Sequence, residues 1–329
     1  MEKRRLGATN LFVNPVGLGC MGFSHAYGAA IEKSEAIKTL RAAYELGYNF
    51  FDTAQCYTGK NVDGSTSNNE EIVGEAVKDV RDKVIIATKF GVAHNPDRSL
   101  TLDSSPATIR KSVDGSLKRL GVETIDLYYQ HRIDPKIEPE TVAAVMGELI
   151  AAGKIRSWGI SEANEEYLRR AHKVCPVTAI QNRYSLMARW HEKIFPVLEE
   201  LGITFVAFSP LANGLLSGAY KKATTFKEAS DYRNMMAQFT ASGMSKAQDL
   251  LTFLEDLAAE KKSTPAQISL AWMLCKKPYI VPIPGSRKLS RLKENFGAGE
   301  IFLSPKEIAD IDAKLDTMDF EIFGGSPQK

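Results

Sequence analysis

Lys83-Val84-Ile85-Ile86-Ala87-Thr88-Lys89 is an almost unbroken apolar run that ends on a lysine. A half-buried strand alternates apolar with polar residues; this one has no wet face, which suits a parallel strand covered on both sides. Ser105-Pro106 then opens a stretch in which Ile109, Val113, Leu117 and Leu120 share one helical face, and Gly121 closes it. Serine as N-cap, proline at the first helical position and glycine just past the end punctuate a helix. A further buried run at residues 125–131 follows, so the unit reads strand, helix, strand.

The same alternation extends in both directions. Strands are predicted at residues 15–19, 48–53, 83–89, 125–131, 156–161, 178–182, 204–209 and 279–283. Ile37, Leu40, Ala43 and Tyr44 form a helical stripe between a Ser34 cap and Gly47, and Thr264-Pro265 opens another with Ile268, Ala271, Trp272 and Cys275. Strand and helix repeat about eight times without a composition break, which predicts an α/β fold: one (β/α)₈ TIM barrel over residues 1–329 rather than two Rossmann halves. Residues 4–6 and 11–13 flank Gly7-Ala8-Thr9-Asn10 and read as an N-terminal β-hairpin able to plug the barrel floor. A long loop follows strand seven: the gap before strand eight is roughly seventy residues, and its first part, 211–245, is rich in Gly, Ser, Asn, Met and Lys.

Composition narrows the class. Of 329 residues, 44% are hydrophobic and 25% charged, and 42 basic against 40 acidic side chains leave a net charge of +2. No strong basic field exists to hold nucleic acid or an anionic membrane. The longest apolar runs, such as residues 203–208, are far short of the ~18 residues a bilayer span needs. The start, Met1-Glu2-Lys3-Arg4-Arg5-Leu6-Gly7, has no apolar core and reads as no signal peptide. Cys20, Cys56, Cys175 and Cys275 form no Cys-x-x-Cys pair and no zinc-ligand spacing with histidine. Free thiols in the cytoplasm are the expectation.

Gly17-Leu18-Gly19-Cys20-Met21-Gly22 matches G-x-G-x-x-G, but no helix starts inside it and the next strand-end carboxylate, Asp52, lies about thirty residues on. The context favours a barrel strand whose glycines admit a close backbone approach. Strand ends say more, because strand C-termini form the active-site face of a barrel. Asp52 ends strand two with Tyr57 just beyond, Lys89 ends strand three and His131 ends strand four. Each alone is compatible with a structural ion pair or a core histidine; all four together point to one site.

Here the sequence resembles the aldo-keto reductase superfamily over essentially its whole length. The resemblance rests on Phe51-Asp52-Thr53-Ala54 with Tyr57, Ala87-Thr88-Lys89-Phe90-Gly91, Asp126-Leu127-Tyr128-Tyr129-Gln130-His131, Gly153-Lys154-Ile155-Arg156, Trp158-Gly159-Ile160-Ser161, Gln181-Asn182 with Tyr184-Ser185, Phe208-Ser209-Pro210-Leu211 and Pro282-Ile283-Pro284-Gly285-Ser286. It implies a barrel with an N-terminal hairpin and a catalytic tetrad of Asp52, Tyr57, Lys89 and His131. It further implies hydride transfer from NADPH to an aldehyde or ketone, with Tyr57 as proton donor and His131 orienting the carbonyl oxygen. A free phenol has a pKa near 10, a poor match to neutral pH. An ammonium at 4 Å in an effective dielectric of 20 attracts the phenolate by about 4 kcal/mol, so Lys89, held by Asp52, is expected to pull the Tyr57 pKa down.

Carried over by position, Ser161 and Gln181 grip the nicotinamide carboxamide and Phe208 stacks on its ring. Ser209, Leu211 and Gly214 offer backbone N–H groups to the pyrophosphate, Gly22 and Asp52 complete the inner contacts, and the segment after Leu211 folds over as a clasp. Ser286, Arg287 and Arg291 take a 2′-phosphate, with Glu294 and Asn295 toward the adenine; arginine forks match a phosphate dianion, which favours NADPH over NADH. Three features depart from the family pattern: Glu162 replaces an asparagine, Gly285 replaces a lysine, and residues 58–69 form a polar insert after Tyr57. Two rivals share the scaffold: an NADPH-binding redox-sensing or regulatory subunit, and an aldolase using Lys89 as a Schiff-base nucleophile, which the paired Asp52 disfavours. The expected partner is a small-molecule carbonyl substrate, on a monomer or weak homo-oligomer.

Overall fold

The computed structural model of the chain describes residues 2–323 apart from 96 and 98. Eight parallel strands follow one another around a single sheet: β1 (Leu18–Gly19), β2 (Phe50–Asp52), β3 (Ile85–Phe90), β4 (Leu127–Gln130), β5 (Trp158–Ser161), β6 (Ala179–Arg183), β7 (Thr204–Phe208) and β8 (Ile280–Pro282). All but β6, which keeps its length and is displaced by one residue, are shorter than their expected runs, because the ladder stops where the chain turns into a loop. The ring closes through the backbone: Gly17 N–H donates to the Pro282 carbonyl (3.0 Å) and Gly19 N–H to the Pro284 carbonyl (3.3 Å). The residues facing β1, Pro282 at the end of β8 and Pro284 just past it, accept but have no N–H to return, so this seam carries half the usual bonds.

Why the glycines sit at β1 is now plain. A Cβ on Gly19 would lie 2.7 Å from the Ile283 carbonyl oxygen, and one on Gly285 would lie 2.5 Å from the Gly19 carbonyl oxygen. Gly19 of the motif and the glycine that replaces a lysine serve one close approach across the seam.

Helices wrap the outside: α1 (Lys33–Glu45), α2 (Asn69–Val77), α3 (Pro106–Leu120), α4 (Pro139–Ala151), α5 (Glu165–Val174), α6 (Phe195–Leu201), α7 (Ala241–Glu260), α8 (Pro265–Lys276), α9 (Leu289–Gly297) and α10 (Pro305–Asp316). Helix α3 has the expected caps, with the Ser105 hydroxyl accepting from Thr108 N–H and Gly121 left-handed. The cap of α1 is Glu32 rather than Ser34: its carboxylate accepts the Ser34 and Glu35 N–H groups, which a longer acidic side chain reaches from one turn position earlier. Helix α7 occupies part of the stretch expected as loop. The Thr240 hydroxyl caps it, and Met244, Ala247, Leu251, Leu254 and Ala258 bury one face.

The barrel floor is plugged as expected. The hairpin strands Arg4–Arg5 and Phe12–Val13 pair antiparallel, and Leu6 and Val13 join Phe50, Ile85, Leu127 and Ala179 in the inner core. Arg4 donates to the carbonyls of Leu274 (2.5 Å), Lys277 (3.1 Å) and Ile280, tying the plug to the bottom of α8 and β8. With the floor filled, the opposite end is left open to chemistry.

The seam makes a test. Gly19→Ala pushes a methyl group into the Ile283 carbonyl, and urea unfolding is expected to show a loss of about 1–3 kcal/mol. Unchanged stability would mean that β1 and β8 are not held this close.

Candidate active site

Strand register brings the predicted residues to one mouth. Asp52 closes β2, Lys89 lies in β3 beside Tyr129 of β4, and His131 follows the last residue of β4. Ser161 ends β5, Gln181 lies in β6 and Phe208 ends β7. Lys89 is fully buried, and its ammonium donates to Asp52 Oδ1, to the Thr53 carbonyl (2.7 Å) and to Tyr57 Oη (3.5 Å). Asp52 Oδ2 accepts from Gln181 Nε2 at 2.7 Å. Both carboxylate oxygens therefore receive donors, the pattern of an anion, although burial pushes the group up against the pull of Lys89.

Tyr57 sits on a loop, and the loop is fixed. Its carbonyl accepts from Asn69 N–H (3.1 Å) and Ser24 Oγ (2.9 Å). Asn69, fully buried, also bonds Thr53 Oγ1 (2.6 Å), the Cys20 carbonyl (3.0 Å) and Ser24 Oγ (2.7 Å). The insert after Tyr57 is a hairpin, Thr58–Lys60 against Thr66–Asn68, which leads into Asn69 at the start of α2. The residue that anchors the tyrosine loop, through its backbone N–H to Tyr57 and its side chain to the flanking loops, thus comes from the end of the insert.

The expected drop in the Tyr57 pKa is not found. Burial and the nearby Asp52 carboxylate push the phenol well above 10. Loss of solvent around the phenol is the larger cause, and the Lys89 ammonium, held closer to Asp52 and the Thr53 carbonyl than to the hydroxyl, does not offset it. A phenol that keeps its proton is a donor, not a base.

Histidines surround it. The His131 ring meets Tyr57 edge-on at 5.7 Å between centroids. His25 stacks on Tyr57 at 5.9 Å and lies 4.7 Å from His94. Burial pulls all three imidazoles below their ordinary value, His131 furthest, with Arg132 and Lys89 adding to the effect there, so they are neutral at pH 7. His25 and His94 carry no motif in the sequence; the signal that marks them is their position just beyond β1 and β3, His25 in a loop and His94 at the end of a short strand, Val92–His94, paired with Leu100–Leu102.

Cys56 Sγ lies 3.5 Å from His131 Nδ1 in a buried contact. Burial pushes the thiol up to about 12, so it is protonated and inert toward oxidation. Assigning S–H as donor makes Nδ1 the acceptor and leaves the imidazole proton on Nε2, the nitrogen free to donate.

The aldo/keto reductase family profile matches residues 15–316. The chain belongs to this family. It is 37% identical over 309 residues to a probable aldo-keto reductase 1 of Glycine max, covering 93% of this chain and 87% of that one. It is 35% identical over 322 residues to an aldo-keto reductase of Strobilurus tenacellus, covering 94% and 91%. Among solved structures, a glycerol dehydrogenase of Gluconobacter oxydans superposes with a TM-score of 0.84 at 29% identity, covering 96% of this chain and 95% of that one. The barrel is that of the family, and the chain is an oxidoreductase of it.

In this aldo-keto reductase the outer residues take less expected positions. Ser161 Oγ accepts from Arg132 Nη1 at 3.0 Å. Glu162 adopts φ 61°, accepts the Arg183 N–H on Oε1 (2.8 Å) and donates its own N–H to Asn182 Oδ1 (2.9 Å), which ties β5 to β6. Ser209, Ala212, Asn213 and Gly214 all have positive φ (52°, 47°, 59° and 101°). The Gly214 N–H is not on offer as expected: the left-handed run turns it inward to the Leu211 carbonyl at 2.9 Å.

The segment after Leu211 crosses the mouth and docks on the β1 loop. Tyr27 and Asp231 form an antiparallel bridge, Tyr232 N–H donates to the Ala26 carbonyl (2.9 Å), and Asn213 Nδ2 donates to Tyr27 Oη (3.0 Å) and Tyr232 Oη (2.6 Å). Beyond β8, Arg287 Nε donates to the Gly22 carbonyl, while Arg291 pairs with Glu294 at 2.6 Å and Asn295 is buried. Ser286 Oγ accepts from Lys288 N–H at 3.1 Å.

The thiol–imidazole contact is open to nitrogen NMR. His131 is expected to hold its proton on Nε2 in the wild type and in Cys56→Ser, and to populate both tautomers in Cys56→Ala. A Cys56→Ala spectrum identical to wild type would remove the cysteine from this role.

Proposed function

We propose that the protein reduces aldehydes or ketones to alcohols with NADPH, Tyr57 delivering the proton. The observation that carries the reading is the buried Lys89 ammonium 3.5 Å from the Tyr57 hydroxyl, with the neutral His131 ring against the same phenol. NADPH, when bound, supplies the hydride for the carbonyl carbon. Arg287 fits the phosphate end of such a cofactor: its Nη2 is buried without a partner, beside Ser286 and Arg291. Ser161 and Gln181 fit the amide end; each is a short polar side chain inside the mouth, one bonded to Arg132 and one to Asp52.

The rest is done by the chain's own groups. His131 Nε2–H donates to the carbonyl oxygen and aims it at Tyr57. As charge grows on that oxygen, Tyr57 gives up its proton, and the Lys89 ammonium stabilises the phenolate left behind. Asp52 keeps Lys89 charged and in place. The Tyr57 loop and the crossing segment screen the mouth from water, which strengthens each of these interactions. The ammonium has no lone pair free for a carbonyl, and its donors are engaged by Asp52, Thr53 and Tyr57, which weakens the aldolase alternative. Four unpaired thiols fit a reducing compartment, and we assign the protein to the cytoplasm. Among the described residues no helix is long and apolar enough to cross a membrane.

Tyr57→Phe is expected to lower kcat by about 10²–10⁴-fold while leaving NADPH affinity, read by fluorescence titration, within about threefold. Near wild-type turnover would refute the donor role. NADPH binding without turnover by the wild type on aldehydes, ketones and quinones would move the protein to the regulatory alternative.

The pH dependence has a definite sign. Reduction requires protonated Tyr57, whose pKa is raised, and neutral His131, whose pKa is lowered. The kcat for reduction is therefore expected to stay flat from about pH 6.5 to pH 9, while alcohol oxidation, which requires the phenolate, climbs throughout. A reduction profile that falls with a midpoint near pH 8 would contradict the raised phenol.

A further inference from the structure

Two guanidiniums stand at the mouth with no carboxylate in salt-bridge contact; Glu162 is the one acid whose charge reaches both. Arg183 closes β6, is only 8% exposed, and its Nη1 has no hydrogen-bond partner. Arg132 follows His131 and spends Nη1 on the His131 carbonyl (2.6 Å) and on Ser161 Oγ (3.0 Å). Both lie over the Phe208 ring, Arg183 at 5.1 Å and Arg132 at 5.8 Å from its centroid. Among the described residues neither forms a salt bridge. Glu162, the acid in reach, gives its Oε1 to the Arg183 backbone N–H and lies 3.7 Å from His191 Nε2.

Such an arrangement is costly on its own. A buried charge needs a counter-charge, and the face of one phenylalanine shared between two cations supplies a small part of it. The two cations also repel. Burial pulls Arg183 below its ordinary range, with Arg132 adding to it, and the charge of Glu162 only partly opposes the shift. An oxyanion placed between them removes both penalties, and the flat fork of arginine matches a carboxylate or a phosphate. The position decides what carries that anion. Arg132 is the neighbour of His131 and is close enough to bias Tyr57, so the anion sits within a few bonds of the reacting carbonyl. Cofactor phosphates have other cations, Arg287 and Arg291, beyond β8.

We propose that Arg183 and Arg132 form an oxyanion subsite that selects carbonyl substrates carrying a carboxylate or a phosphate. The proposal rests on the reductase reading above and adds the class of substrate.

The test compares matched pairs with the NADPH-saturated protein: 4-formylbenzoate against its methyl ester, and glyceraldehyde 3-phosphate against glyceraldehyde. The anionic member of at least one pair is expected to have a kcat/KM higher by about tenfold or more, with a margin that shrinks in salt. Arg183→Gln is expected to reduce that ratio to near one, and Arg183→Lys, which keeps the charge and guards against a folding defect, to preserve part of it. A second readout needs no turnover. Calorimetric titration of 4-(hydroxymethyl)benzoate into the NADP-saturated protein is expected to give binding about tenfold weaker in Arg183→Gln than in wild type. No preference within either pair, or equal benzoate binding by wild type and Arg183→Gln, overturns the subsite. An Arg183→Gln loss in NADPH affinity as large as the loss in substrate preference also overturns it, by assigning the pair to the cofactor's phosphates. Benzoate binding that depends on Arg183 in a protein without turnover on any carbonyl would uphold the subsite and reject the reductase reading instead.

Discussion

A single ammonium with no exposure to solvent organises the mouth of the barrel. Lys89 reaches it from β3 and finds its acceptors on β2 and just beyond: the Asp52 carboxylate and the Thr53 carbonyl. Gln181 then reaches across from β6 to hold the second carboxylate oxygen. Three strands that are not all neighbours are tied through one charge pair. A lysine buried without these partners would lose its proton, and Asp52 without the lysine would be an unpaired buried anion. The pair therefore fixes the charge state that Tyr57 experiences, and what remains of the ammonium's donor capacity is aimed at the phenol.

Much of this was legible in the chain. The apolar runs located all eight strands, since a strand buried on both faces leaves no polar interruptions, and the strand-end positions of Asp52, Lys89 and His131 placed them at one mouth. The direction of the Tyr57 shift was not legible, because proximity of a lysine says nothing of how deeply the phenol is buried or how near it lies to Asp52. Arg132 and Arg183 escaped notice for a related reason: an arginine in sequence looks like surface, and only the barrel's curvature turns both over Phe208. Asn69 was hidden inside a polar insert that reads as loop, although its N–H holds the Tyr57 carbonyl and its side chain ties Thr53, Cys20 and Ser24 around it. Helix α7 lay where Gly, Ser and Asn suggested irregular chain; its apolar stripe begins only at Met244, past the punctuation that dominated the composition.

The segment that crosses the mouth depends on unfavourable backbone. Left-handed φ at Ser209, Ala212 and Asn213 each costs roughly 1–2 kcal/mol relative to ordinary conformations. Asn213 is the residue best suited to it by type, and its amide holds both Tyr27 and Tyr232. The strain bends the chain straight out of β7 and back over the barrel, so the turn at residues 209–214 sets the path of the whole crossing segment. The conformation is kept because the aromatic and hydrogen-bonded contacts at its far end hold the segment where the turn sends it.

The half-bonded seam between β1 and β8 bears on how the protein is made. Its bonds join residues 17 and 19 to residues 282 and 284, so they form only after nearly the whole chain has left the ribosome. Until then the growing sheet has two open edges, the condition that invites one nascent chain to add a strand to another. Proline at 282 and 284, the end of β8 and just past it, leaves that edge unable to donate, and so makes it a poor template for a foreign strand. The residues that weaken the finished ring are those that keep the unfinished one from sticking.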